Sequence, residues 1–115
     1  MKIIINKCYG GFGISNKAMK ALLALKDTEF ISKKGTFGRE FYYTDGSRIH
    51  LHKMFESEIA LRTDPDLVEV VTRLGEKSWG NHAELAIIDI PDGIQVEIEE
   101  YDGYEHIAEV HRKWY

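Results

Sequence analysis

The first sixteen residues constrain the fold most. Ile3, Ile4 and Ile5 form a β-branched run, Gly10, Gly11 and Gly13 follow in a short loop, and Ser15 stands where it can cap a helix. Glycine permits positive φ and close backbone approach. A serine hydroxyl satisfies an orphan amide of the helix it opens. The stretch therefore predicts a strand over residues 2–8, a tight loop, and a helix from Ser15 to about Lys26. Met19, Leu22, Leu23 and Leu25 give that helix its apolar side, and Ile14 and Met19 are spaced as a hydrophobic staple.

A strand-to-helix loop of this kind gathers N–H groups where phosphate or carboxylate can sit. Tyr9-Gly-Gly-Phe-Gly13 lacks the Lys and hydroxyl residue of a Walker loop and does not match the dinucleotide fingerprint. A structural corner with Tyr9 and Phe12 as packing residues is the first expectation. The alternative is an anion site made by Gly10, Gly11, Gly13 and Ser15, with Arg112 supplying a cation.

At 115 residues the chain is expected to form one domain, residues 1–115, burying roughly 65% of its extended surface. Hydrophobic content of 43% and charged content of 30% are ordinary for a globular protein. A formal charge of −4 argues against duplex nucleic acid, which is bound through a basic footprint. The single cysteine, Cys8, excludes an internal disulfide and reads as a buried structural thiol. There is no signal-peptide pattern and no apolar run near the ~20 residues of a membrane span. A cytoplasmic location is expected, and no membrane partner.

Asp-Gly between alternating segments predicts a hairpin, with strands 39–43 and 48–52 flanking Thr44-Asp-Gly-Ser47. Residues 53–62 read as loop or a short helical turn. Asp64, Pro65 and Asp66 write a helix start, Leu67, Val70, Val71 and Leu74 its apolar stripe, and Gly75 its end. Ala83–Ile90 reads as a buried strand, and 95–101 as an alternating one. Asp102-Gly103 turns the chain into a returning strand from Tyr104 towards Tyr115. This order predicts an α+β domain, an antiparallel or mixed sheet with two helices on one face.

Among candidate site residues, His50 and His52 leave one face of the predicted strand and can begin a metal site. A third ligand would have to come from His82, Glu105, His106, Glu109 or His111. Glu97, Glu99, Asp102, Glu105 and Glu109 make the last hairpin acidic; with Trp79 and Tyr104 they form a candidate surface for a basic partner. Glu100 falls in phase with Val96 and Ile98, so it is expected inside, paired with Arg112. The tail His111-Arg-Lys-Trp-Tyr115 is basic and aromatic. No Ser/His/Asp or metalloprotease motif is present.

The sequence resembles a group of small proteins encoded by bacteriophages and prophages. The resemblance rests on Lys7-Cys-Tyr-Gly-Gly-Phe-Gly-Ile-Ser15, Arg62-Thr-Asp-Pro-Asp-Leu-Val-Glu-Val-Val71 and Ile98-Glu-Glu-Tyr-Asp-Gly103, with His111, Arg112 and Trp114. It implies a phage origin and action in the host bacterial cytoplasm, and it transfers no activity, cofactor or catalytic residue.

Three functions follow as expectations. The first is a non-enzymatic phage accessory protein that binds and modulates a host bacterial protein, as in host takeover or anti-defence. The second is a small-ligand or nucleotide binder using the glycine loop. The third is a small metal-dependent hydrolase using His50 and His52. No cofactor is implied, and a homo-oligomer is compatible with each.

Overall fold

The computed structural model describes residues 1–110. Its centre is strand β1 (Lys2–Asn6), paired antiparallel with β5 (Leu85–Asp89) in the register Ile4↔Ile87. Ile3, Ile4 and Ile5 are all buried, so both faces of β1 are covered. On one face Ile4 and Leu85 join a core with Leu22 of α1 (Asn16–Leu25), Leu61 of the short α2 (Glu58–Arg62), and Leu67, Val70 and Val71 of α3 (Pro65–Leu74). Near β1 runs the hairpin of β6 (Val96–Tyr101) and β7 (Tyr104–Glu109), whose Ile107 lines a small cavity with Ile5, Ile88 and Ile90.

A second antiparallel sheet, β2 (Ile31–Lys34), β3 (Glu40–Thr44) and β4 (Ser47–Arg48), hangs on α1 through Tyr42, which packs with Met19 and Leu23. β2 is exposed along its length. The molecule extends over 51 × 28 × 27 Å, with a radius of gyration of 15.2 Å, against about 13 Å for a compact chain of this size. The class is α+β, and among the described residues every pairing is antiparallel and the strands are distributed over three small sheets.

Local signals in the sequence account for most element ends. Ser15 caps α1 by accepting from the Ala18 amide at 3.1 Å, and Ile14 packs beside Met19. Asp64 caps α3 by accepting from Leu67 N at 3.0 Å, with Pro65 in its first turn. In the turns joining β3 to β4 and β6 to β7, Asp45 and Gly46 (φ 49° and 78°) and Asp102 and Gly103 (48° and 89°) are left-handed, as two-residue hairpin loops require.

One predicted element changes, and one is resolved between its two readings. The strand predicted over 48–52 stops at Arg48, and Leu51–Met54 coils into a 3-10 turn that delivers Leu51, Met54 and Phe55 to the core. Residues 53–62 contain α2, capped by Ser57. No helix among the described residues is long and apolar enough to cross a membrane.

Candidate functional site

Backbone geometry explains the densest polar cluster. Lys7 donates its amide to Glu84 O (2.8 Å), so the odd residues of β1 bond β5 while the Ile4 carbonyl and Asn6 amide point to the free edge. Among the described residues no strand closes that edge; an ion pair does. Arg62 of α2 donates Nη1 to Ile4 O at 3.2 Å, and Glu105 of β7 accepts from Asn6 N at 2.7 Å. The two side chains bind each other in a fork, at 2.6 and 2.8 Å, and both are buried. Glu58 takes a further Nη2 contact at 2.6 Å, and the Phe12 ring lies 3.6 Å from the guanidinium carbon. Arg62 Nε has no partner among the described residues.

Asn6, also buried, completes the cluster. Its Nδ2 donates to Cys8 O (2.8 Å) and Gly103 O (2.7 Å), and its Oδ1 accepts from Glu84 N (2.9 Å). One side chain thus ties β1, the glycine loop and the β6–β7 turn together. The glycine loop is wedged between neighbours: a methyl at Gly103 would overlap the Gly11 backbone, and one at Gly10 the His82 carbonyl. Close approach is what these glycines provide. Ser15 Oγ is engaged with the Ala18 amide and with Lys77 O (2.6 Å). The proposed anion cradle is therefore tied into the fold, and its expected cation, Arg112, lies outside the described residues, as do the other residues of the tail.

The acidic hairpin is sorted by register. Pairing Glu99↔His106 and Tyr101↔Tyr104 sets these residues and Glu97 on the outer face. Glu105 lies on the inner face, so it is not part of a partner surface; Glu109 shares that phase but is exposed at the strand end. Glu100, expected inside against Arg112, is exposed instead and accepts from Gly103 N at 2.6 Å, closing the turn. Tyr9 is 70% and Tyr101 71% exposed. Tyr9, expected as a packing residue, stacks among the described residues only on Tyr104 (5.2 Å), which in turn meets His106 at 5.4 Å. Asp102 is exposed at the turn. Trp79, expected on the surface, is half-buried against the core and bridges to Ile14. Cys8, expected buried, is half-buried.

His50 and His52 do not share a strand face, because the strand ends before them. His52 packs edge-on to Phe12 and lies 3.6 Å from Glu58, while His50 lines a different groove. Among the described residues no three His, Cys, Asp or Glu side chains gather as metal ligands.

That groove, about 700 Å³, runs between α1 and the β2–β4 sheet and carries Lys17, Arg39, Arg48 and His50. No sequence motif marks this groove; its only sequence signal is the mix of cations and aromatics over residues 31–48. Its acid, Glu40, is held by Lys20 at 2.9 Å, a hydrogen bond that keeps its carboxyl below the usual range. Tyr42 donates towards Asn16 Oδ1 and Glu40. Burial, then the Glu40 charge and hydrogen bond, push the Tyr42 phenol up to about 12. The protonated phenol is favoured by the fold, so its contribution is complete below the ordinary tyrosine value of about 10 and is lost as pH rises through about 12. Phenolate absorbance should show one of the six tyrosines ionising last, and Tyr42→Phe should remove that step.

Compared with known proteins, the chain matches no protein-family model, no curated protein and no solved structure.

Proposed function

We propose that the chain is a non-enzymatic phage accessory protein that binds a basic surface of a host protein with the outer face of the β6–β7 hairpin. One observation carries this reading: Tyr9 and Tyr101 stand exposed beside Glu97, Glu99 and Asp102, on a hairpin anchored from behind by Glu105. Tyrosine supplies large contact area at small entropy cost and is enriched in binding surfaces. Carboxylates around it select a basic partner and speed the encounter. The phage setting comes from the sequence resemblance.

The same geometry speaks against acid–base chemistry at the buried cluster. Both oxygens of Glu105 are taken by Arg62 and the Asn6 amide, and Glu58 is shared between Arg62 and His52.

A tagged protein used to capture partners from bacterial lysate tests the proposal. A partner identified by mass spectrometry should bind Tyr101→Ala/Glu99→Lys about thirtyfold more weakly, the size of one interface hot spot. Arg48→Ala should retain it. Equal capture by the hairpin variant would move the interface elsewhere, and capture of nothing beyond the tag control would end the reading.

A further inference from the structure

We propose that the groove between α1 and the β2–β4 sheet, together with the outer face of that sheet, binds single-stranded nucleic acid. Charge is segregated along the chain. Residues 31–53 hold five of the fifteen Lys and Arg but only two of the nineteen Asp and Glu. Of those two acids, Glu40 is already neutralised by Lys20. A protein of net charge −4 thus presents a local cationic surface.

One aromatic ring is open for stacking, and others hold cations. Phe37, in the Thr36–Gly38 turn, is 98% exposed and left-handed at φ 59°, ψ 31°. A bulky side chain held in that conformation and entirely in solvent gains nothing from packing. The register puts Lys33, Phe41, Tyr43 and Arg48 on one face of the sheet, opposite the face by which Tyr42 meets α1. Arg48 lies 4.3 Å from the Phe41 ring, Arg39 5.9 Å from it, and Lys33 5.1 Å from the Tyr43 ring. The open Phe37 ring can accept a base, and the cations held over Phe41 and Tyr43 can meet phosphates; a stacking ring and a cationic surface are the two components of sequence-tolerant single-strand binding.

The track is longer than one nucleotide. A second groove of about 400 Å³, along the glycine loop, shares Phe37, Arg39, Gly80 and Asn81 with the first. Phe37 therefore stands at the junction of two grooves, where a chain can pass on either side. A duplex would hide its bases from the Phe37 ring. An acidic peptide would use the cations and leave the Phe37 ring without a partner.

The full chain is titrated into a fluorescently labelled oligothymidylate or oligouridylate of about 15 nucleotides, near the upper site size of a small binding fold. Anisotropy should report binding in the range of roughly 1–100 µM at low salt. With Lys33, Arg39 and Arg48 on phosphates, the logarithmic salt slope should be about −2. Phe37→Ala, which removes an exposed ring and leaves the core untouched, should weaken binding about tenfold. Arg39→Glu/Arg48→Glu should abolish it, and Tyr101→Ala should leave it unchanged. No binding at about 100 µM protein and low salt, no effect of Phe37→Ala, or equal binding of duplex DNA or polyglutamate would each overturn the proposal.

Discussion

Arg62→Ala is expected to cost about 3–5 kcal/mol of folding stability, the usual consequence of removing one partner of a buried ion pair. Glu105 would keep its charge in a buried position with only the Asn6 amide to answer it. The Ile4 carbonyl would lose its donor at the edge of the central strand. Urea unfolding should show the loss as a shift in midpoint with little change in slope. Glu105→Gln should cost less, about 2–3 kcal/mol, because an amide oxygen can still accept from Asn6. In the double variant Arg62→Met/Glu105→Leu the loss should fall well short of the sum of the single truncations, since neither charge is then stranded. A cost below about 1 kcal/mol for Arg62→Ala, the range of an exposed pair, would mean that the pair does not close the strand edge. Because Glu105 anchors the hairpin, the proposed host contact should weaken in step with stability, unlike in Tyr101→Ala.

Asn6→Asp should be more damaging than Asn6→Ala, although aspartate is nearly isosteric with asparagine. The Oδ1 contact with Glu84 N survives the substitution, but the second carboxylate oxygen replaces a donor that serves Cys8 O and Gly103 O at 2.8 and 2.7 Å. Three acceptors then face one another in a buried site beside the Glu105 carboxylate. Either a buried charge is left unpaired or the group takes up a proton, and both are costly. About 3–5 kcal/mol is expected for the aspartate variant, against about 2–3 kcal/mol for the alanine variant, which only leaves groups unsatisfied. Thermal melts should register the aspartate variant roughly 10–20 °C below the parent. An alanine variant equal to or worse than the aspartate one would show that the Nδ2 donors do not bind the two carbonyls.

Elements with local signatures were legible before any tertiary information. Ser15 and Asp64 cap where their hydroxyl and carboxylate predicted, because capping is decided within three residues. The two Asp-Gly turns reverse the chain for the same reason. Period-2 reading also set Glu97 and Glu99 outward. It failed at β4, where alternation continued to residue 52 but the chain left the sheet after Arg48 so that Leu51 and Met54 could reach the core. Burying two apolar side chains outweighed two more rungs of an edge ladder, and the histidines were separated as a result.

The inner carboxylate shows the same division. Phase alone placed Glu100 on the inner face of the hairpin, and the observed register sets Glu105 opposite it. Only the position of α2, 43 residues earlier in the chain, decides that Glu105 meets a guanidinium while Glu100 stays at the turn and closes it. Likewise Asn6 looks like the ordinary polar end of a strand until Gly103 is brought to it across 97 residues.

By itself, then, the sequence determined the α+β class, the caps, the turns and the strand-loop-helix corner at the N-terminus, all of which depend on interactions within a few residues. Tertiary structure alone decided what the corner is for. The glycine loop is pinched by His82 and Gly103 because those backbones approach it from distant parts of the chain. The free edge of β1 is closed by Arg62 and Glu105 because an unpaired carbonyl and amide, buried there, must be satisfied by whatever the fold brings within hydrogen-bond reach.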